Sequence, residues 1–360
     1  MVNTCPVTFE YIKRTLIFRF DAGTSRGVLK TKEVYWIKAF QPENLLIPGW
    51  GEAAPLVNLS VDDRVDFEKV LAKTLARLSK VSWLSGEENI LEQVNKEVSS
   101  DLPSIRFGVE IALLDLNSGG LKKFFTNSFY DQLKPISING LIWMGDEQFM
   151  LSQIEAKLAQ GFDCIKMKIG AIDFELELKL LRSIRERYSK EEITLRVDAN
   201  GAFSPSNAIS KLELLAKLDL HSIEQPIASG QMEEMKRLCA ISPLDIALDE
   251  ELIGVEDKAA LLDQINPPYI ILKPTLVGGV LQTKEWISLA EERNIGWWMT
   301  SALESNIGLN AIAQLTSSYS PLIPQGLGTG QLYTNNLASP LEIVDGTLVY
   351  NLSKQWESPA

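Results

Sequence analysis

From about residue 135 onward, short apolar runs alternate with amphipathic helical segments at a nearly constant interval. Eight such runs are present, and they read ISINGLIW, FDCIKMKIG, ITLRVDAN, LHSIEQP, LDIALDE, YIILKP, IGWWMTS and PLIPQGLG. Strands that alternate with helices at this period form parallel sheets with right-handed crossovers. Eight of them predict a closed α/β barrel of the (β/α)8 type. Little that looks helical follows the last run, so we expect the eighth helix to be missing or displaced.

Charged residues recur near the C-terminal ends of five successive runs. They are Lys168, Asp198, Glu224, Asp249 and Lys273, separated by 30, 26, 25 and 24 residues. Each alone is most often a helix cap or a solvated side chain, but chance rarely places five at matching strand ends. Because the carboxyl ends of barrel strands meet at the mouth where chemistry occurs, we predict that these residues form one ring there.

The ring contains a second lysine on the same strand. Lys166 and Lys168 are two residues apart, so both point to the same face of their strand. Like charges are tolerated there if carboxylates and an anionic substrate face them. Lys166 and a nearby metal would favour the neutral form of Lys168, which a base requires. Lys273, across the ring, would either transfer protons at the other substrate face or stay charged and stabilise an enolate.

The three carboxylates of the ring are candidate metal ligands. Asp198, Glu224 and Asp249 offer hard oxygen atoms without sulfur or imidazole nearby, which is the preference of Mg²⁺ or Mn²⁺. Three carboxylates leave about half of an octahedral shell for water and substrate oxygens. The metal would then bind a substrate carboxylate and make the adjacent α-proton acidic. The sequence therefore predicts metal-assisted proton abstraction from a small carboxylate.

Composition excludes several other classes of protein. The 360 residues carry a net charge of −12, which argues against a nucleic-acid-binding protein. No window has the roughly 18 apolar residues of a membrane span, and the N-terminus does not resemble a secretion signal. Three scattered cysteines favour a reducing cytoplasm, and a single histidine, His221, excludes multi-histidine metal sites. The oligomeric state is left open.

The first 130 residues have a different pattern. Two β-rich stretches, TFEYIKRTLIFRF and GVLKTKEVYWIKAF, flank the turn DAGTS and predict an antiparallel hairpin. Helical patterns follow at 64–80, 87–99 and 103–117. We interpret residues 1–130 as an α+β capping domain and residues 131–330 as the barrel, with the segment 331–360 packing back onto the capping domain.

The ordered set of ring residues resembles the enolase superfamily, and within it the muconate lactonizing enzyme subgroup. That subgroup carries KxK, then Asp, Glu and Asp on successive strands, then Lys. The corresponding segments here are KMK, RVDANG, IEQP, ALDE and ILKP. The resemblance covers nearly the whole chain. It implies a (β/α)7β barrel, an N-terminal capping domain and an essential Mg²⁺.

Within the subgroup, four segments resemble the o-succinylbenzoate synthase family of menaquinone biosynthesis. They are GWGEAAPL (49–56), NGLIWMG (139–145), ALDEEL (247–252) and SALESNIGL (301–309). That family dehydrates 2-succinyl-6-hydroxy-2,4-cyclohexadiene-1-carboxylate to o-succinylbenzoate. The resemblance implies that Lys168 removes the α-proton and, once protonated, assists the departure of hydroxide from the same face. It also implies that Lys273 stays cationic and stabilises the intermediate.

The resemblance further implies a set of substrate contacts. These are the side chains of Ser301, Glu304 and Ser305, backbone donors at Gly328 and Thr329, and Arg26 in a loop of the capping domain. The alternative enzymes are an N-acylamino acid racemase and a dipeptide epimerase, which would use Lys168 and Lys273 as a two-faced pair. The segment GLGTGQLYTNN lacks the Asp-x-Asp of the epimerases, which disfavours a dipeptide. A non-catalytic barrel that binds an acidic metabolite is the alternative from another class.

Overall fold

A computed structural model describes residues 4–24, 27–319 and 323–359. The N-terminal part contains β1 (Thr4–Pro6), β2 (Thr8–Thr24), β3 (Gly27–Gln41), β4 (Asn44–Ala53), α1 (Phe67–Leu78), β5 (Ser82–Leu84), α2 (Glu87–Glu97) and α3 (Pro103–Asn117). Strands β2, β3 and β4 form one antiparallel sheet in that order, which confirms the predicted hairpin. The three predicted helices are also present.

Helix α3 packs unusually close to strand β4. The helix begins with Pro103 at its first turn, where the missing N–H costs nothing. A side chain at Gly49 or Gly51 would collide with the α3 backbone, because an added Cβ at Gly49 would lie 2.1 Å from the carbonyl oxygen of Ala112. The glycines therefore permit the contact between the sheet and the helix that forms the core of this module.

The next part of the chain supplies the parallel barrel. It contains α4 (Ser128–Asp131), β6 (Ile136–Ser137), β7 (Gly140–Ile142), α5 (Glu147–Ala159), β8 (Cys164–Lys168), α6 (Phe174–Arg185), β9 (Thr194–Asp198), α7 (Pro205–Ala216), β10 (Ser222–Glu224), α8 (Met232–Ile241), β11 (Ile246–Leu248), a 3-10 turn (Glu250–Leu252), α9 (Lys258–Ile265), β12 (Tyr269–Leu272), α10 (Pro274–Val277), α11 (Val280–Glu292), β13 (Gly296–Met299) and α12 (Asn306–Ser317). Strands β7 to β13 form one sheet in sequence order, and every pair is parallel.

Two residues of the eighth apolar run connect the ends of this sheet. Gly326 forms a parallel bridge with Thr300, next to β13, and Gln325 forms one with Ile138, next to β7. A 3-10 turn, Gly328–Gln331, follows, and residues 323–359 contain no α-helix. The predicted barrel with a missing eighth helix and an N-terminal α+β module is therefore confirmed.

The C-terminal segment contacts both parts of the molecule. Strands β14 (Leu341–Val344) and β15 (Thr347–Tyr350) form a hairpin that pairs with β6. Upstream of it, the Arg19 N–H donates to the carbonyl of Leu332 at 2.8 Å, so the segment also lies along β2. The proposed domain boundary near residue 130 stays a prediction. Across the described ranges, none of the helices combines the length and the apolar character that a membrane crossing requires.

A buried carboxylate joins the N-terminal module to the barrel. Glu110, on α3, accepts hydrogen bonds from the N–H groups of Val280 (2.5 Å) and Leu281 (3.3 Å), at the start of α11. These N–H groups have no partner inside their own helix, so the carboxylate satisfies them. Burial raises the pKa of Glu110 to about 8, although both hydrogen bonds act in the opposite direction.

The Glu110 contact predicts a stability that falls with rising pH. The folded protein keeps a proton on Glu110 that the unfolded chain releases above its ordinary pKa of 4.5. This contribution is complete below pH 4.5 and is lost as the pH rises towards 8, with a slope of at most about 1.4 kcal/mol per pH unit. We expect Glu110→Gln to flatten the free energy of unfolding between pH 5 and 8, measured by urea titration. Glu88→Gln, at an exposed position on α2, is the control and should leave the slope as it is in the parent chain.

Candidate active site

The charged residues at the strand ends lie on one interior face of the barrel. Lys166 is in register with Arg196, and Lys168 with Asp198. Asp198 is in turn in register with Glu224 on β10. Directly paired residues in a parallel sheet point to the same side, so the register alone brings lysines and carboxylates together. All six members of the ring, including Asp249 and Lys273, are at least nine-tenths buried.

The ring is a continuous chain of opposite charges. The Lys166 ammonium lies between two carboxylates, 3.1 Å from Asp198 Oδ2 and in close contact with Glu224 Oε2. The Lys273 ammonium contacts Asp249 Oδ2 and lies 3.6 Å from Glu224 Oε1. Two like-charged lysines on one strand are therefore tolerated because carboxylates from the next two strands face them.

Lys168 has its own pair of partners. Its ammonium donates to Asp198 Oδ2 at 3.0 Å and to Asn200 Oδ1 at 2.7 Å. The Asn200 amide in turn donates to Glu250 Oε1 at 3.1 Å. Asn200 has a φ of +44°, a left-handed conformation that asparagine tolerates better than most residues. This tight turn after β9 directs Asn200 towards Lys168 and fixes the position of the amine.

The charges of the ring shift one another's protonation equilibria. Burial would raise the pKa of Asp198, but Lys166 and Lys168 hold it well below its ordinary value. Burial opposes charge on Lys166 and Lys273, yet the adjacent carboxylates raise the pKa of both. Burial and the neighbouring Glu250 raise the pKa of Asp249. Lys273 is thus held as a cation, which is the property needed to stabilise negative charge.

The donor chemistry of the ring fits a hard divalent cation. Asp198, Glu224 and Asp249 end neighbouring strands, and Glu224 Oε1 is buried without a hydrogen bond from the described part of the chain. In the ranges 4–24, 27–319 and 323–359, no three acidic, histidine or cysteine side chains are placed to share a metal. Instead, Lys166 pairs with Asp198 and Glu224, and Lys273 pairs with Glu224 and Asp249. The two lysines thus supply positive charge beside the three carboxylates, which is what a bound metal cation would also supply.

A cavity of about 520 Å³ opens above the ring. Its charged residues are Lys157, Lys166, Lys168, Asp198 and Lys273, next to the polar Asn200, and its apolar and aromatic walls include Phe20, Leu56, Val57, Leu59, Trp143, Ala302, Leu303 and Leu332. The volume is typical of a site for a small organic ligand. The combination of an apolar wall and a charged floor suits a carboxylate attached to a hydrocarbon ring.

The structure places only some of the residues expected to contact substrate at the cavity. Ser301, Gly328 and Thr329 line the cavity, with a hydrogen bond of 2.7 Å from the Thr329 hydroxyl to the Ser301 hydroxyl. Glu304 and Ser305 lie behind the wall and are fully buried. Arg26 lies outside the described residues.

Glu304 and Ser305 belong to a buried network between the two modules. The Glu304 carboxylate accepts hydrogen bonds from the hydroxyls of Ser301 and Thr275. The Ser305 hydroxyl donates to Glu52 and accepts from the Trp36 indole N–H at 3.0 Å. Apart from Ser301, the partners of both side chains lie away from the cavity. The structure therefore places Glu304 and Ser305 behind the wall, where they support it.

Sequence reasoning did not identify Asn200, Trp143 or Lys32. Asn200 stands two residues after Asp198 in DAN, and Trp143 ends the run ISINGLIW, so the strand-end rule would have found both. The Lys168 ammonium lies 5.9 Å from the centre of the Trp143 ring. The sequence gives no such signal for Lys32. This residue lies within a strand of the N-terminal module and reaches the cavity wall only where that module packs against the barrel.

Comparisons with known proteins identify the relatives of this chain. Residues 150–351 match the family model described as enolase C-terminal domain-like. The chain is 49% identical to the o-succinylbenzoate synthase of Desulfotalea psychrophila over 94% of this chain and 98% of the relative. The crystal structure of MenC from the same organism matches with a TM-score of 0.81 and 44% identity, covering 96% of this chain and 99% of that one.

A more distant structure shares the fold alone. The dipeptide epimerase of Enterococcus faecalis, solved in complex with Mg and the dipeptide L-Leu-L-Tyr, matches with a TM-score of 0.83 at 18% identity. The alignment covers 98% of this chain and 97% of that one. The barrel and its N-terminal module are thus shared with an enzyme of different specificity, so the fold does not select the substrate.

Proposed function

The chain belongs to the o-succinylbenzoate synthase family of the enolase superfamily, and on this premise we propose how its ring performs the dehydration. The reaction converts 2-succinyl-6-hydroxy-2,4-cyclohexadiene-1-carboxylate to o-succinylbenzoate in menaquinone biosynthesis, and the protein is accordingly a carbon–oxygen lyase. The observation that carries the assignment of roles is the buried chain of contacts from Lys168 through Asp198, Lys166 and Glu224 to Lys273.

Lys168 is the proposed base and acid. In its neutral form it takes the α-proton next to the substrate carboxylate, and the electron pair left on carbon forms the new ring double bond as the hydroxyl group leaves. The same nitrogen then returns its proton to the departing hydroxide, which leaves as water. Asp198 and Asn200 support this double task because they hold the amine at one point of the cavity floor.

Lys273 is the proposed electrostatic stabiliser. Asp249 and Glu224 raise its pKa against the effect of burial, so it stays protonated while negative charge develops on the substrate. A fixed cation in a buried site stabilises such charge without reorganising solvent. Lys166 has the same charge and lies between Asp198 and Glu224, where it orders the carboxylates.

Asp198, Glu224 and Asp249 are the proposed ligands of Mg²⁺, with Mn²⁺ as the alternative ion. A cation held by these groups supplies positive charge for the substrate carboxylate oxygens. The donor set supports this assignment, as does Glu224 Oε1, which is buried without a hydrogen bond from the described residues. A small-molecule carboxylate is the proposed partner, and the three free cysteines support a location in the cytoplasm.

Loss of one proposed ligand should weaken the binding of Mg²⁺, and this binding can be measured without turnover. We expect Glu224→Gln to raise the Kd of Mg²⁺ at least about tenfold, because even the loss of groups that support ligands costs about 10–100-fold. The measurement is calorimetric titration of the substrate-free protein with Mg²⁺. Glu251→Gln is the control, since that buried carboxylate binds Gln225 and the Gly230 N–H outside the ring. An unchanged Kd in Glu224→Gln would remove Glu224 from the ligand set.

N-Acylamino acid racemisation is the second candidate activity. Lys168 and Lys273 both line the cavity from different strands, so both have access to one ligand. To separate the activities, the protein is incubated in D₂O with the cyclohexadiene substrate and, separately, with an N-succinylamino acid. The loss of diene absorbance reports dehydration, and deuterium incorporation reports racemisation. Efficient racemisation with negligible dehydration would contradict the proposed function, and ligand binding without either reaction would favour a non-catalytic barrel.

A further inference from the structure

One wall of the cavity is held in an uncommon backbone conformation. Leu303 follows strand β13 with a φ of +68°, in the left-handed region that bulky residues rarely adopt. Its side chain lines the cavity and is almost fully buried. Such a conformation is strained and persists only where the surroundings determine it. The surroundings of Leu303 therefore contain groups that keep the wall in this shape.

Three hydrogen bonds hold the wall. The Lys32 ammonium donates to the carbonyl of Ala302 at 2.6 Å. The Tyr333 hydroxyl donates to the carbonyl of Leu303 at 2.7 Å, and burial raises the pKa of Tyr333, so this donor keeps its proton. The Leu303 N–H donates to the Ser301 hydroxyl at 3.1 Å. The carbonyls of Ala302 and Leu303, on either side of the Leu303 Cα, are thus both held by side chains that lie outside the turn.

Lys32 connects two parts of the wall that come from different modules. It lies on β3 with only 5% of its surface exposed. The same ammonium donates to the carbonyl of Ala54 at 3.1 Å, and the residues that follow Ala54, Leu56–Leu59, also line the cavity. A single side chain therefore ties the end of β4 to the turn after β13.

The burial of Lys32 is costly for a residue with a structural task alone. Taking an ammonium group out of water is unfavourable, and apolar replacements of buried charges are often neutral or stabilising. Glu52 and Glu304 offset part of this cost through their charges. A buried cation at this place is therefore better explained by the shape of the wall than by stability.

We propose that Lys32 is a positioning residue for the dehydration, which clamps the Ala302–Leu303 turn so that the cavity wall fits the hydrocarbon part of the substrate. Its hydrogen bonds to the carbonyls of Ala54 and Ala302 go to the wall and not to the ring. The inference rests on the proposed function, because the fit concerns the substrate of that reaction. Tyr333 holds the next carbonyl and completes the clamp.

The test is the variant Lys32→Met, which keeps the length of the side chain and removes its donors. We expect KM for the cyclohexadiene substrate and Kd for o-succinylbenzoate to rise about tenfold, with kcat within about threefold of the parent and Tm unchanged or raised. Lys30→Met on the same strand is the control, because the Lys30 side chain is 73% exposed and pairs only weakly with Asp21 at 3.6 Å. It should change none of these quantities.

A second variant connects the effect to the turn. Tyr333→Phe should raise KM and Kd in the same way, and the double variant should show less than the product of the two single effects, because both groups hold one turn. An unchanged KM and Kd in Lys32→Met, or strictly multiplicative effects in the double variant, would overturn the inference. If Lys32→Met does not fold, an unchanged KM in Tyr333→Phe overturns it equally.

A failure of the clamp and a failure of the proposed function give different experimental results. Absence of dehydration by the parent protein counts against the proposed function. The Kd of o-succinylbenzoate, measured by calorimetry with Mg²⁺ present, tests the clamp without requiring turnover. A rise in Kd in Lys32→Met and Tyr333→Phe but not in Lys30→Met supports the clamp in either case.

Discussion

Replacing Lys168 by methionine is expected to lower kcat for the dehydration by about 10⁴-fold. Positioned general acid–base groups contribute up to about 10⁴-fold, and the proposed reaction uses the same nitrogen in both proton transfers. Methionine keeps the side-chain volume, so the cavity should retain its shape. The measurement is the loss of diene absorbance in the presence of Mg²⁺, with single-turnover conditions used if steady-state rates are too low.

The control for this variant is another lysine of the same cavity. Lys157 lines the cavity, donates to Gln160 Oε1 at 3.4 Å and lies 4.9 Å from the centre of the Phe162 ring. We expect Lys157→Met to keep kcat within a few fold of the parent. Calorimetric binding of Mg²⁺ and o-succinylbenzoate to Lys168→Met shows whether the ring is still assembled. More than a tenth of the parent kcat in Lys168→Met would rule out its role as the base.

Replacing Lys273 should separate the role of its charge from a role in proton transfer. We expect Lys273→Met to lower kcat by about 10³-fold, the upper range for the loss of one preorganised stabilising group. Lys273→Arg keeps the positive charge beside Asp249, so dehydration should fall by no more than about 30-fold. Racemisation of an N-succinylamino acid should fall by the full 10³-fold in Lys273→Arg, because guanidinium does not release a proton.

Lys258 supplies a control of similar burial for the Lys273 variants. Its ammonium binds Gln282 and Glu285 on α11, outside the cavity. Lys258→Met should leave both activities unchanged, although Tm is expected to shift. Equal losses of dehydration in Lys273→Arg and Lys273→Met would contradict a purely electrostatic role and would assign a proton transfer to Lys273.

The ring could be predicted because its geometry follows from local periodicity. Strands of constant spacing have carboxyl ends at one mouth, and the alternation of side chains along Cys164–Lys168 places Lys166 and Lys168 together. Register then brings Asp198 beside Lys168 and Glu224 beside Asp198. Each relation depends on neighbours within one strand or on the next strand along the chain, so a single sequence contains it.

The side chains of the cavity wall could be predicted only in part, because their directions do not follow from local periodicity. Ser301, Glu304 and Ser305 lie within five residues, yet only Ser301 lines the cavity, whereas Glu304 and Ser305 turn towards Thr275 and Glu52. A loop has no repeating alternation from which the direction of a side chain could be read. The partners that decide the direction are distant in the sequence, since Thr275 lies on α10 of the barrel and Glu52 on β4 of the N-terminal module.

Spacing, strand-end charge and the order of lysines and carboxylates were determined by the sequence alone, because each depends on neighbours along the chain or on the next strand. The tertiary structure alone decided that Lys32 reaches Ala302 and that Glu110 meets the start of α11, across 270 and 170 residues of chain. Such contacts arise only when two modules pack, since burial then forces each polar group to find a partner wherever one is within reach.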